Sequence, residues 1–457
     1  MEELNILEQV ETLLTERRFS MLRSLVIDME PADIGALMED MDKEEQRLLF
    51  FRLLPKELAA EAFVEVDGDV QEDLIRAFSG SEISAVMDEL YVDDAVDMIE
   101  EMPANVVRRI LKYTDPTMRK TINDILKYPS DSAGSLMTTE YVDLKEHMTV
   151  AQAFDHIRKT GVDKETIYTC YVMGKDRKLL GIVTVKDLLL SDKEAVLTDI
   201  MDTNVIFVDT MEDKEIVAQQ FAKYDMLALP VVDKEHRLVG IITFDDAMDV
   251  IQEENTEDIE KMAAILPTDK PYMRTGVFET WRKRIPWLLF LMISATFTGM
   301  IISGFEQKLA AYVVLTAFIP MLMDTGGNSG SQASVTIIRG LSLGEIEWGD
   351  TLAVIWKEIR VAVLCGVVLA AVNFLKMMVV DHWLLQNELV TPMVAAVVCL
   401  TLVVTVFFAK IVGCTLPILA KKVGLDPAVM ASPFITTIVD ALSLLVYFGV
   451  AGLLLPL

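Results

Sequence analysis

The spacing of hydrophobic positions changes character along this chain. Up to about residue 130, apolar residues form short helical stripes. DIGALMEDM, LAAEAFVEV, EISAVMDEL and DAVDMIEEM each carry one apolar face between acidic ends. That pattern predicts an all-α superhelical stack over 1–130. Between 131 and 250 the pattern mixes strand and helix periods and repeats itself. YVMGKDRKLLGIVTVKDLLL at 171–190 matches PVVDKEHRLVGIITFDDAMD at 230–249, an offset of 59. Each copy reads as strand, helix, strand, tight turn, strand, then a glycine, two apolar residues, Thr-x-x-Asp and a further helix. A unit of that size cannot bury its sheet alone, so the two copies are expected to pack as an α/β pair. Residues 245–269 contain no helix breaker before Pro267 and predict one linking helix, whose free part is 251–270.

From 271 to 457 the pattern is that of a membrane domain. A spanning helix needs about 20 mostly apolar residues. Five segments meet this: Ile285–Phe305, Leu309–Ile338, Val361–Val380, Leu389–Ala409 and Pro427–Leu457. Arg282, Lys283, Arg284, Arg339, Lys357, Arg360, Lys421 and Lys422 fall on the side of the N-terminus, leaving the other loops poor in basic residues. The excess of Lys and Arg marks that side as cytoplasmic, so five spans put the C-terminus outside. SLGEIEWGDTLAVIWKEI, between spans two and three, reads either as an amphipathic surface helix or as a loop.

Two spans carry polar groups at membrane depth. In the second, MLMDTGGNSGSQAS places Gly326, Gly327 and Gly330 beside Asp324, Asn328, Ser329, Ser331 and Gln332. Pro320 and the glycines are expected to loosen the helix, and the side-chain oxygens could line a hydrated cation path. Close helix packing through small residues is the other reading. Asp324 could stand at the mouth of the path or cap a half-helix. In the fifth span Asp440 sits mid-segment, with Thr436 and Thr437 on the same helix face. An intramembrane carboxylate is costly and marks a functional site. Lys376 and Lys410 look close to span ends, where they could snorkel to water instead of pairing with it.

Charge sharpens the division. Of 41 Lys+Arg and 70 Asp+Glu, only 12 and 11 lie from Pro271 onward, leaving 29 basic against 59 acidic residues in 1–270. So acidic a surface argues against nucleic acid as a partner. Part of the acidity is concentrated on the linking helix. Asp246, Asp249, Glu253, Glu257 and Glu260 fall at spacings of 3 or 4, with Asp245, Glu254 and Asp258 beside them. Like charges at that spacing oppose helix formation unless a cation screens them. The stripe therefore reads as a cation sensor or as a solvated face. Cys170, Cys365, Cys399 and Cys414 have no zinc-like spacing, and His147, His156, His236 and His382 are scattered. No catalytic constellation is present, so an enzyme is not expected. MEELNILEQVETLLTERR has no signal-peptide core.

The repeat resembles a tandem CBS-domain pair, carried by Gly181, Thr184 and Asp187 and by Gly240, Thr243 and Asp246. The resemblance implies a regulatory module that often binds adenine nucleotides. Thr184, Asp187, Thr243 and Asp246 would then contact ribose and phosphate, with ATP as the candidate ligand. Helix capping explains such residues equally well. The order of helical acidic domain, CBS pair, acidic helix and five spans resembles the MgtE family of magnesium channels and transporters. PMLMDTGGNSGSQAS and GLDPAVMASPFITTIVD are the most specific motifs.

That resemblance implies a multi-pass protein of the cytoplasmic membrane, assembled as a homodimer with the pore on the dimer axis. Asp440 would hold hydrated Mg²⁺, with Thr436 and Asn328 beside the path. Asp426, in the GLDPA turn, would face the linking helix. Internal Mg²⁺ bound among the soluble domains and that helix would close the pore, with Asp245, Asp246, Asp249, Glu253, Glu257, Asp258 and Asp426 as the regulatory candidates. The chemistry agrees. Mg²⁺ prefers oxygen, keeps its water and is usually held by one or two carboxylates. Mn²⁺ and Co²⁺ are alternative ions. A membrane-anchored CBS nucleotide sensor and an ion-coupled transporter of another divalent cation are the alternative functions.

Overall fold

The structure, a computed structural model, describes residues 2–268, 272–273, 275–305, 310, 312–430 and 432–455. Lys308, the expected start of the second span at Leu309, Pro271 and Leu457 lie outside the described residues. The chain divides into two compact units, Met1–Ile251 and Gln252–Leu457.

The first unit begins with ten short helices. They are α1 (Glu2–Thr15), α2 (Phe19–Val26), α3 (Pro31–Asp40), α4 (Glu44–Phe51), α5 (Lys56–Val64), α6 (Gly68–Ala77), α7 (Gly80–Met87), α8 (Val92–Glu101), α9 (Ala104–Tyr113) and α10 (Pro116–Ile125). None is long enough to be stable alone, so packing of one apolar face sustains each. Phe50, Phe63 and Phe78 from successive turns of the stack are fully buried in one continuous core.

The repeat forms two small sheets. In the first, β1 (Tyr141–Lys145) runs parallel to β2 (Thr166–Met173), which pairs antiparallel with β3 (Leu179–Thr184). In the second, β4 (Val208–Asp209), β5 (Ala228–Val232) and β6 (Leu238–Thr243) repeat that order. Val172 faces Gly181 in one sheet and Val231 faces Gly240 in the other, so the register repeats with the sequence. The helices of the pair are α11 (Ala133–Leu136), α12 (Val150–Thr160), α13 (Val185–Leu190), α14 (Leu197–Ile200), α15 (Lys214–Tyr224) and α16 (Phe244–Met262).

The two copies exchange their leading segments. Thr138, ahead of the first sheet, bridges Ile241 on β6, and Asp202, ahead of the second, bridges Ile182 on β3. The two glycines permit this. A Cβ on Gly181 would stand 2.7 Å from the Asp202 carbonyl oxygen, and one on Gly240 would stand 2.7 Å from that of Thr138. Neither copy completes its sheet edge without the other, as the pairing argument requires.

Helix α16 begins inside the second copy and ends at Met262, not at Pro267. Ala264 adopts a left-handed φ of 56° and the Ile265 amide donates to the Glu260 carbonyl, a C-terminal cap that the sequence pattern did not reveal. The division between the two units falls within this helix, after Ile251.

The second unit holds five long helices: α17 (Val277–Gly304), α18 (Ile319–Ser342), α19 (Thr351–Lys376), α20 (Pro392–Lys422) and α21 (Ser432–Leu454). Among the described residues, four helical stretches, containing α17, α19, α20 and α21, are long and apolar enough to cross a membrane. The polar residues of α18 keep it below that mark. Helix α18 packs on α20 and α21, α19 on α20, and α17 on α21. No separate surface helix precedes the third span. After a short turn at Trp348–Asp350, α19 starts directly at Thr351.

Candidate functional site

Three groups of candidate residues take shape, one in the first unit and two in the second.

The membrane group lies on α18 and α21. Helix α18 is continuous from Ile319 to Ser342, so the expected break at Gly326–Gly330 is not formed. Pro320 falls in the first turn, where it costs no hydrogen bond. The glycines serve contact instead. A Cβ on Gly326 would come within 2.7 Å of Thr405 and 2.9 Å of Ser443, and one on Gly330 within 2.9 Å of Ile435. A Cβ on Gly413 of α20 would overlap the Gly330 carbonyl oxygen. Small residues thus bring α18 to backbone contact with α20 and let side chains of α21 lie against its backbone.

Three polar residues of the same motif point away from that seam, whereas Ser329, expected beside them, is buried with Ser334. Asp324, Asn328 and Gln332, four residues apart, are exposed along one edge of α18. Thr436 and Asp440 of α21 are half-buried beside it, with Gly327 packed against Thr436. Thr436 and Thr437 donate their hydroxyl hydrogens to the Pro433 carbonyl at 2.9 and 3.0 Å. Their oxygen lone pairs remain available to a cation or its water. Lys410 does not snorkel. It is 5% exposed, and its Nζ lies 3.5 Å from Oε2 of Glu358 on α19. Lys376 does reach outward, to Asp381 at 2.8 Å.

The second group is an acidic cluster within the first unit. Asp93 and Asp94 open α8, Glu140 precedes β1, Glu165 precedes β2, and Asp245 and Asp246 open α16. Burial holds the Asp93 carboxyl well above the usual range, and the Asp246 charge adds to it. Burial, then Asp246, pushes Asp94 up to about 7. Burial, then Asp94, pushes Glu165 up to about 8. Asp246 rises to about 6 through burial, against the hydrogen bond it accepts from Thr243. Glu65 is raised by burial and by Asp249. Oε2 of Glu165 is buried with no hydrogen-bond partner. These carboxylates disfavour one another's charge, and a cation would relieve them. Among the described residues no three acidic, His or Cys side chains converge on one metal-sized point. Such spacing suits an ion that keeps its water.

The third group lies at the other end of α16, in the second unit. Lys261 Nζ stands 2.6 Å from Oδ2 of Asp426 and also pairs with Glu257. Burial alone would lower the Lys261 ammonium's pKa, but the hydrogen bonds to Asp426 and Glu257 raise it above its ordinary value. Asp258 accepts from Ser342 Oγ at 3.0 Å, and burial raises its carboxyl. Gly424, at a left-handed φ of 78°, ends α20 and turns the chain into the GLDPA segment. There Asp426 also accepts from the Ala428 amide at 2.8 Å.

The regulatory candidates are thus divided. Asp245, Asp246 and Asp249 belong to the first unit, and Glu257, Asp258 and Asp426 gather in the second, to which the exposed Glu253 also belongs. Sequence reasoning missed Asp93, Asp94, Glu65, Glu140, Glu165 and Lys261. Acids in a first turn look like ordinary helix starts, and only folding places them opposite α16. The nucleotide candidates are engaged as caps. Thr184 accepts from the Asp187 amide at 3.1 Å and donates to its carboxylate at 2.5 Å, and Thr243 donates to Asp246 at 2.6 Å.

A family described as divalent cation transporter matches residues 319–450, which contain α18 to Asp440. The intracellular N domain of that family matches 29–131, and CBS domains match 133–194 and 197–253. The chain belongs to the MgtE family. It is 36% identical to the magnesium transporter MgtE of Thermus thermophilus and 31% identical to that of Bacillus subtilis. These alignments cover 95% and 96% of this chain and 95% of each relative. A crystal structure of the cytosolic domain of the Mg²⁺ channel MgtE in complex with ATP is similar at 34% identity. Its TM-score is 0.51, and it covers 53% of this chain and 99% of that one.

Proposed function

We propose that this protein carries Mg²⁺ across the cytoplasmic membrane through a path lined by α18 and α21, and that cytoplasmic Mg²⁺ closes it. The carrying observation is the edge formed by Asp324, Asn328, Gln332, Thr436 and Asp440 on an otherwise apolar bundle. Carboxylates and carboxamides are not left against acyl chains, so such an edge borders water or another protein surface. Two copies meeting there, as a homodimer, would enclose a hydrated passage with one Asp440 from each. One or two carboxylates acting through retained water suit an ion that must also leave again. Full magnesium transporters of the same domain order, aligned end to end, support Mg²⁺ as the cargo.

Closure would follow from the acidic cluster. With little Mg²⁺ inside, Asp93, Asp94, Glu165 and Asp246 repel. Bound Mg²⁺ favours their close approach and shifts the population toward that state. Helix α16 carries the change, because one end belongs to the cluster and the other is tied to Asp426 through Lys261. ATP is proposed at the CBS pair, near Thr184, Asp187, Thr243 and Asp246, where a phosphate would compete with the caps they now form. The Lys and Arg excess on one set of loops supports N-terminal domains in the cytoplasm and a C-terminus outside.

The test is Mg²⁺ entry into liposomes carrying the full chain, with low or millimolar Mg²⁺ on the cytoplasmic face. Entry at low internal Mg²⁺ that falls at millimolar concentration is expected. No entry from folded protein under either condition would contradict the transport reading.

A further inference from the structure

Asp324 lies on the polar edge of α18, and its position in the bundle gives it a more specific role. Helices α18 and α21 run antiparallel in a defined register. Gly330 lies against Ile435 and Val439, Gly327 against Thr436, and Gly326 against Val439 and Ser443. One turn from Gly327 toward the start of α18 is Asp324. One turn from Thr436 toward the end of α21 is Asp440. The register therefore sets the two carboxylates at one level on neighbouring helices.

Other roles for Asp324 fit poorly. Because α18 is continuous, there is no half-helix for it to cap, and Phe318 occupies the N-cap position. The lysines nearest membrane depth are engaged elsewhere, Lys376 with Asp381 and Lys410 with Glu358. Asp324 is exposed, and it shares its helix edge with Asn328 and Gln332. A carboxylate so placed, beside a second one and on a face unsuited to lipid, belongs to a wet path.

We propose that Asp324 is a second fixed charge of the ion path, standing beside Asp440 and setting how strongly the path draws hydrated divalent over monovalent cations. This rests on the pore reading above. The role is electrostatic: paired negative charges in a narrow, low-dielectric passage raise the local concentration of a doubly charged ion more than that of a singly charged one.

The test uses the full chain in liposomes at low internal Mg²⁺. Mg²⁺ entry is measured against external Mg²⁺, together with the Mg²⁺-to-Na⁺ permeability ratio, for wild type, Asp324→Asn, Asp324→Glu and Asp440→Ala. Asp324→Asn is expected to lower entry about threefold to tenfold at subsaturating Mg²⁺. It should lower entry less at saturation and reduce the preference over Na⁺, and Asp324→Glu should restore both. Wild-type concentration dependence and selectivity in Asp324→Asn, with Asp440→Ala inactive, would overturn this inference and leave the pore reading standing. Equal loss at every Mg²⁺ concentration with unchanged selectivity would show a structural role and overturn it as well. Undiminished entry through Asp440→Ala would overturn the pore reading and this inference together.

Discussion

The acidic groups of the two units face opposite problems. In the first unit Asp93 is 5% exposed, and it is crowded by Asp94, Glu165 and Asp246. On α18 and α21, Asp324 is exposed and Asp440 half-buried, among hydroxyls and amides. Crowded buried carboxylates pay a large electrostatic cost that a bound cation removes, which suits a switch. Less buried ones, paired beside hydroxyls and amides, attract a hydrated ion and release it, which suits a path. One chain thus uses the same side chains for holding and for passing, with the difference set by burial and neighbours.

Substitutions can separate the two. The largest effect is expected from Asp440→Ala, which should lower liposomal Mg²⁺ entry by roughly 100-fold, toward the upper range for a focusing charge. Asp93→Ala with Asp94→Ala should leave entry intact at low internal Mg²⁺. It should raise the internal Mg²⁺ needed for half-inhibition by about tenfold, equivalent to about 1.4 kcal/mol of lost coupling. If the double variant also lost entry at low internal Mg²⁺, the division between switch and path would fail.

Packing and pH sharpen the contrast further. Gly413→Ala should destabilise the bundle by about 1–3 kcal/mol, because the added methyl meets the Gly330 backbone. Its effect is read as earlier loss of the monodisperse peak on heating in detergent. Protons should imitate Mg²⁺ at the cluster. Asp246, Asp94 and Glu165 are raised to about 6, 7 and 8, above the unfolded values near 4. Their contribution to the packed arrangement is therefore complete below about pH 4 and lost as pH rises through 6 to 8. Protection of the full chain from protease should depend little on Mg²⁺ at pH 5.5 and strongly at pH 8. The smallest effect, about threefold on entry, is expected for Thr436→Val, which removes one oxygen from the path.

Much of the fold was legible because it rests on local pattern. The 59-residue offset reappears as Val172 opposite Gly181 and Val231 opposite Gly240. The apolar runs become long helices. What failed depended on partners remote in sequence. Gly326 and Gly330 looked like breakers because α20 and α21, which press on them, lie far along the chain. Lys410 seemed free because Glu358 is on another helix. The acidic stripe on α16 was visible, yet its division between two units was not, nor was Lys261 among its carboxylates. Asp93 and Asp94 carried no signal beyond that of a helix start. Asp440 was legible because a carboxylate in an apolar run needs explaining wherever it folds.

Cysteine accessibility can show whether α18 and α21 border the ion path. Asn328→Cys and Thr436→Cys, made singly in the full chain, would be treated in liposomes with a charged methanethiosulfonate reagent while Mg²⁺ entry is recorded. If they do, both cysteines are modified, modification blocks entry, and high Mg²⁺ slows the reaction. Modification of both positions with no change in Mg²⁺ entry would contradict that placement.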